Sequence, residues 1–382
     1  MSDGVAIVGV AESDLGITGL TKYQLNAQAV RRALADAGLG LGDVDGLATN
    51  DVARFPATAL AEYLGIRPTW TDTTFAGGAS YEVFVGHAVD AIRAGRCEVA
   101  VITYGSNQRS AKTRALGGST WPTDIETRLE LPYGPLHPVS MYALAAQRHM
   151  HDHGTTSEQL AEIAVAAREW ALLNPKAYRF DAGPLSVGDV VGSPVISSPL
   201  HSLDCCLVTD GGGAVVLTGL DRARDLPRPP IRVLGYGEAS THTSMTQMPD
   251  LTRTGAVDSA RRALGEAGIA IGDVDVAEVY DSFTITVLLT LEALGFCGPG
   301  EGGEFVLGGR IRPGGSLPLN TSGGGLSYCH PGMLGILLLI EAVRQLRGEA
   351  GERQVDGPEI ALAHGTGGVL SNHATVVLGV DR

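Results

Sequence analysis

At 382 residues, 44% of them hydrophobic and 18% charged, the chain holds enough apolar material for two packed cores or two halves sharing one. A formal charge of −14 argues against a nucleic-acid-binding or anionic-membrane surface, since either needs a basic patch. The cysteines, at 97, 205, 206, 297 and 329, form no CxxC pair, as expected of reduced thiols in a cytoplasmic protein.

The start, MSDGVAIVGVAESD, has no basic segment ahead of an apolar signal core and reads directly as a buried strand over Val5 to Val10. A helix follows in RRALADAGLGLGDVDGLATND, Arg31 to Asp51, ended by Gly38 and succeeded by a second short buried segment. TFAGGASYEVFVGHAVDAIRAG, Thr74 to Gly95, is a tight glycine loop opening onto a helix. Such a loop suits an anionic thiolate or oxyanion, because helix-terminal N–H groups and the dipole favour negative charge there. Yet it contains no cysteine.

From about 110 to 200 the pattern breaks into a Pro/Gly-rich stretch around one helical piece, TSEQLAEIAVAAREWALLN, which reads as an inserted cap. LDCCLVTDGGGAVVL then has a strand pattern in which Cys205 and Cys206 are expected to be inert core thiols. HMHDHG alternates histidines in a way that splays them apart on a helix, so no metal site is expected there. The late apolar run GMLGILLLIEAV is too short to span a bilayer and carries Glu341, so it is a core helix. No Walker A pattern is present.

The chain repeats itself. RRALGEAGIAIGDVDVAEVYD, Arg261 to Asp281, matches Arg31 to Asp51 at 11 of 21 positions without a gap. The likeness continues through EVFVGHAVDAIRAGRCEVAVITYGS and its later counterpart GILLLIEAVRQLRGEAGERQVDGPEIALAHGTGG. Duplicated βαβαβ halves, about 1–225 and 229–382, predict an α/β fold of sheets sandwiched between helices, with the site between the halves. The loop around His330 is then the counterpart of the Gly77–Gly78 loop. Reactive side chains gather in GEASTHTSM with His242, in EVYDSFT with Tyr280, Asp281 and Ser282, in NTSGGGLSYCHPGM with Tyr328, Cys329 and His330, and in AHGTGG with His364. A single histidine in a glycine-rich loop is more often structural, which holds for His242 alone. His330 and His364, at loops of the same half, are better functional candidates, and Tyr280 beside a carboxylate is a candidate acid or base.

Taken in order, VAIVGVAESDLG, LDCCLVTDGGGAVVL, YDSF, NTSGGG with HPGM, and HGTGG resemble the thiolase superfamily along the whole chain, in the branch related to sterol-carrier-protein-x thiolases. The resemblance implies the five-layered α-β-α-β-α thiolase fold. It places the nucleophilic cysteine at Gly78, and it puts Tyr280 and Ser282 where the branch has a histidine and a second catalytic cysteine. Lacking both thiols, the chain resembles the steroid side-chain-cleaving aldolases of the superfamily, which work with a zinc-ribbon/OB-fold partner protein. Glycine cannot hold an acyl group, whereas retro-aldol cleavage of a β-hydroxyacyl-CoA needs only a base, an acid and enolate-stabilising donors.

A CoA-thioester aldolase is therefore the leading expectation. The alternatives are an acyltransferase using Cys329 or Ser80, and a non-catalytic acyl-CoA or lipid-binding subunit. On the aldolase reading Tyr280 is the general base, His330 the oxyanion donor or acid, and His242 and His364 supporting donors. Gly78, Ser282, Tyr328 and Cys329 line the substrate, and the empty position at Gly78 gives it room. A base role requires that cationic neighbours draw the Tyr280 phenol down from its usual pKa of about 10. Arg109, Lys112 and Arg114 in QRSAKTRAL are the nearest positive cluster for CoA. No cofactor beyond the substrate's coenzyme A is expected. A homodimer is expected, its sheet extended across a two-fold axis by VAVITYGS, together with the partner protein in a heterotetramer.

Overall fold

The computed structural model describes residues 4–114, 128–135 and 138–381; the cap expectation therefore reaches into 115–127 and 136–137, which lie outside the described residues. The strands of the described residues are β1 (Val5–Glu12), β2 (Gly46–Ala48), β3 (Trp70–Asp72), β4 (Val99–Ser106), β5 (Val195–Ser197), β6 (Leu200–His201), β7 (Gly211–Gly219), β8 (Ile231–Ser240), β9 (Val276–Val279), β10 (Ile360–Gly367) and β11 (Asn372–Val380). Nine of them form one mixed sheet in the order β3-β2-β4-β7-β1-β8-β11-β10-β9, and the short pair β5 and β6 stands apart.

The two halves of the sheet meet only where β1 touches β8, at Ala6 opposite Arg232 and Ile7 opposite Ile231. Helix α1 (Lys22–Asp36) packs on β1, β4 and β7, outside the first half. Helix α3 (Ser80–Arg93), which follows the short α2 (Pro56–Leu64), packs against strands of both halves. The insertion contributes α4 (Val139–His153) and α5 (Ser157–Ala171). In the second half α6 (Ala256–Ala267) covers β8 and β11, α7 (Thr284–Leu294) packs on α5 and α6, and α8 (Gly335–Arg347) lies beside α3 between the half-sheets. The layers are helix, sheet, helix, sheet, helix.

Local sequence explains these elements. Thr21 and Thr156 cap α1 and α5 in reciprocal boxes with Gln24 and Gln159, relieving otherwise orphaned N–H groups. The repeat is visible in space: α1 and α6 each lead through a single 3-10 turn, Leu41–Asp43 and Ile271–Asp273, into a short parallel strand. Helix α8 buries Ile336, Leu337, Leu338, Leu339 and Ile340, roughly 1.5–3 kcal/mol apiece, because a middle-layer helix is apolar on nearly every side.

One expectation fails here. Strand β4, VAVITYGS, is hydrogen-bonded to β7 along its whole length and to β2 at Ala100–Ile102 on the other side, so it is an internal strand and not the edge that would extend the sheet into a second copy. The sheet ends instead at β3 and β9.

The halves are locked by a buried ion cluster. Both terminal nitrogens of Arg344 on α8 grip the two carboxylate oxygens of Glu12 at the end of β1. Tyr328 donates its hydroxyl to Glu12 at 2.9 Å, and Lys176 from the insertion lies 3.0 Å away. Burial alone would raise the Glu12 pKa, but Arg344 and Lys176 outweigh it and hold the carboxyl well below the usual range. Replacing Arg344 with Met leaves a buried carboxylate without its main counter-ion and is expected to cost about 3–5 kcal/mol in urea unfolding at neutral pH; a loss under about 1 kcal/mol would show that the cluster does not hold the halves together.

Candidate active site

Tyr280 is the first residue beyond β9, and its N–H donates to the His364 carbonyl at 2.9 Å, carrying the β9–β10 pairing one step further. This fixes where the phenol goes. The loop ahead of α3 is held by Ser80, whose hydroxyl accepts from Ala76 N–H at 2.9 Å and donates to the Gly77 carbonyl at 2.7 Å. Ser80 is thus a local tie in the loop. A Cβ placed on Gly78 would fall 2.6 Å from Cζ of Tyr280, closer still to Cε2, and 2.5 Å from the Thr366 carbonyl. The position expected to leave room for substrate is filled by the Tyr280 ring.

The phenol oxygen of Tyr280 lies 3.0 Å from His330 Nε2 and 3.4 Å from the Gly332 carbonyl, with the two rings edge to face. His330 is presented by a wide π-helical turn, Gly324–Tyr328, which Asp281 secures by accepting from Gly325 N–H at 2.6 Å and Leu326 N–H at 3.1 Å. The backbone of His330 is pinned as well. Thr209 accepts from its N–H at 3.0 Å, while Gln108 and the Thr209 N–H donate to its carbonyl at 2.9 and 3.2 Å. Arg114 reaches in to place one terminal nitrogen 3.4 Å from His330 Nδ1 and the other 3.7 Å from the Cys206 thiol.

Burial dominates the protonation states. It pushes His330 down to about 3, with the Arg114 charge adding to the effect, so the imidazole is neutral at physiological pH. It lifts Tyr280 well above the ordinary phenol value, helped by Cys206 and neighbouring phenols and opposed by Arg114. The expected lowering of Tyr280 by cationic surroundings does not occur in the free protein, where desolvation is stronger. Asp281 is raised by burial to about 7, although its carboxylate is turned to backbone N–H groups.

Several other expected residues are not brought to this pair. His364 turns to the opposite face of the strand, where Nδ1 meets Thr375 at 2.8 Å and Nε2 meets His373 at 3.3 Å. His242 joins two loops through the Val369 carbonyl at 3.0 Å and Thr241 at 2.8 Å. Tyr328 is spent on Glu12. Cys329 is fully buried against Thr209 at 3.2 Å, burial raising its thiol to about 12, so it is an inert core thiol. Ser282 stays near, its hydroxyl 3.0 Å from Thr286 and its carbonyl accepting from Cys206 N–H at 3.0 Å.

The basic cluster divides. Arg114 points inward, and Lys112 is exposed. Arg109 lines a polar cleft of about 400 Å³ with Arg168 and Arg179, which sequence reasoning missed, and with Cys205 and Cys206 among its walls. Among the described residues lining it there is no carboxylate. Burial and the nearby charge of Arg179 both lower the Arg168 pKa, as happens where cations crowd without a counter-ion. Cys206 lies outside any strand and faces Arg114, which nothing local in LDCCLV signals, but burial still raises its thiol pKa. Among the described residues no group of three or more His, Cys, Asp or Glu could hold a metal; His149 in HMHDHG is spent on Thr155 and Glu292.

With this geometry in place, comparison with known proteins decides the family. Residues 237–380 match the family described as "Thiolase C-terminal domain-like". The chain is 36% identical over 384 residues to the 17-hydroxy-3-oxo-4-pregnene-20-carboxyl-CoA lyase of Mycobacterium tuberculosis, covering 96% of this chain and 97% of that one. It is 35% identical to the steroid side-chain-cleaving aldolase of Thermomonospora curvata, covering 99% and 98%. The solved structure of an "Ltp2-ChsH2(DUF35) aldolase" superposes with a TM-score of 0.90 at 32% identity, covering 100% of this chain and 98% of that one. The chain belongs to the thiolase superfamily, in its steroid side-chain-cleaving aldolase branch. Human mitochondrial 3-ketoacyl-CoA thiolase, at 18% identity and a TM-score of 0.71, shares the fold.

Because the Tyr280 ring and a side chain at 78 compete for one space, Gly78→Ala in this aldolase-branch protein should push the phenol off His330. Carbon–carbon cleavage is expected to fall by about 10²-fold, the scale of losing an acid–base group, while overpacking costs about 1–3 kcal/mol of stability. Parental turnover in the folded variant would contradict the placement.

Proposed function

We propose that the protein cleaves a β-hydroxyacyl-CoA by a retro-aldol reaction, with Tyr280 as the group that exchanges the proton. It is a carbon–carbon lyase of the aldolase branch acting on an acyl-CoA. The observation that carries the reading is the phenol lying in the space a thiolate would need, hydrogen-bonded to His330.

In the forward step the Tyr280 phenolate takes the β-hydroxyl proton. The O–H electron pair becomes the carbonyl π bond, the Cα–Cβ bond breaks, and its electrons pass to the thioester as an enolate. The phenol then returns the proton to Cα, giving a shorter acyl-CoA and a free aldehyde or ketone. Electrons and protons balance, and no acyl group is held by the protein. His330, uncharged, contributes a hydrogen bond to the phenol oxygen.

Coenzyme A enters along the cleft of Arg109, Arg168 and Arg179, whose uncompensated cations suit its phosphates. No cofactor beyond that coenzyme A takes part. The relatives named for steroid substrates support a steroid side chain as the acyl group. The pairing of Ltp2 with ChsH2 in the structural relative supports a second subunit here, a zinc-ribbon/OB-fold protein, assembled with a homodimer of this chain into a heterotetramer. Among the described residues no helix is long and apolar enough to cross a membrane, and the acidic chain with unpaired thiols fits the cytoplasm.

A base whose pKa is raised above neutrality is active only in its minor, deprotonated form, so kcat/KM for cleavage should climb with pH, about tenfold per unit between about pH 6 and 9. The His330 imidazole, already neutral, adds no limb in that range. Tyr280→Phe should lower turnover by about 10²-fold or more and flatten the profile. A pH-independent parental rate, or a Phe variant of parental activity, would remove Tyr280 from the chemistry.

A further inference from the structure

The hydrogen bond between Tyr280 and His330 can run in two directions, and its direction decides what the histidine does. With the ring proton on Nδ1, His330 accepts the phenol proton at Nε2. With the proton on Nε2, His330 donates to the phenol oxygen and favours the phenolate. Which holds is set by what faces the other ring nitrogen.

That neighbour is Arg114. We infer that Arg114 is a positioning residue whose guanidinium, donating to His330 Nδ1, forces the single imidazole proton onto Nε2, where it is given to the Tyr280 oxygen. A guanidinium has donors only, so a proton on Nδ1 would set two N–H groups against each other across 3.4 Å. The His330 carbonyl also lies beside the ring and would take an Nδ1 proton, but it already accepts from Gln108 and the Thr209 N–H, so it competes with the guanidinium only weakly while Arg114 is present. Tyr280 completes the chain by donating toward the Gly332 carbonyl. All donors then run one way: Arg114 to His330, His330 to Tyr280, Tyr280 to Gly332.

The charge arrangement agrees. Among the described residues Arg114 forms no ion pair, and its second terminal nitrogen faces the Cys206 thiol, so its positive charge is directed at the imidazole and phenol. Burial keeps His330 neutral, the Arg114 charge adds to that effect, and the same charge opposes the upward shift of Tyr280. Arg114 therefore acts on the phenol through an uncharged relay, without touching the reacting atoms.

The inference rests on Tyr280 and His330 being the reacting pair, but it can be tested without substrate. In protein labelled with 15N-histidine, with the His330 resonances assigned by their loss in His330→Gln, the ring nitrogen shifts report which nitrogen carries the proton. The expected result is Nε2–H in the parental protein, Nδ1–H in Arg114→Met, which has no donor, and Nε2–H restored in Arg114→Lys. In steady-state cleavage Arg114→Met should lose about 10²-fold in kcat with KM within a few-fold of parental, and Arg114→Lys should recover part of the loss. Nδ1–H in the parental protein, which needs no variant to fold, would overturn the inference, as would an unchanged tautomer in a folded Arg114→Met. A parental protein with the expected tautomer but no cleavage of any β-hydroxyacyl-CoA would instead strike at the functional reading.

Discussion

Two bulky groups cannot occupy the space above residue 78. A side chain there and the ring of Tyr280 would overlap, so the loss of a nucleophile at the loop and the presence of a phenol after β9 are one steric fact. The rest of the site follows. The Tyr280 N–H bonded to His364 keeps the ring in register with the sheet, the tie made by Ser80 keeps the glycine loop closed beneath it, and the turn held by Asp281 brings His330 to its edge. Where the thiolase resemblance puts a nucleophilic sulfur, this chain has a buried phenol, the group that the proposed function uses to exchange a proton.

Electrostatics then set the task of each group. The protein is acidic overall, at −14, yet Arg109, Arg168 and Arg179 gather at one cleft and Arg114 turns in to His330, so positive charge is concentrated where the proposed function puts the coenzyme A phosphates and the enolate. The Tyr280–His330 pair itself is uncharged in the free protein. Desolvation would make either an imidazolium or a phenolate costly there, and Arg114 offsets part of that cost for the phenolate alone. The Glu12–Arg344 cluster, by contrast, is a buried ion pair that touches no reacting group; it holds the two half-sheets in the relation that lets the loops before α3 and α8 meet.

Much of this is legible in the sequence. The repeat between Arg31–Asp51 and Arg261–Asp281 reveals the duplicated halves, since each copy codes the same helix, turn and strand, and it pairs the loop before α3 with the loop before α8. That pairing brings His330 into view, while Tyr280 is marked separately by the carboxylate beside it in the YDSF turn. Side-chain direction is not legible: His364 on β10 is paired with Val279, the residue before Tyr280, and because strand residues alternate between faces it falls on the far one. The loss of Tyr328 to Glu12 depends on an ion partner 316 positions away. Nothing in QRSAKTRAL says that Arg114, alone of its three cations, turns inward to the imidazole. The edge expected of β4 fails because sheet order is decided by β7, which arrives more than a hundred residues later.

On the proposed function a phenol stands in place of a thiolate, so cleavage proceeds by proton transfer without acyl transfer. The direct test is to incubate the purified protein, with its partner subunit if one co-purifies, with a β-hydroxyacyl-CoA in the absence of free coenzyme A, and to quantify products alongside the intact mass of the protein. The account predicts equal amounts of a free carbonyl compound and a shortened acyl-CoA, with no mass added to the protein. A strict requirement for free coenzyme A, or an acyl adduct that forms during turnover, would contradict it.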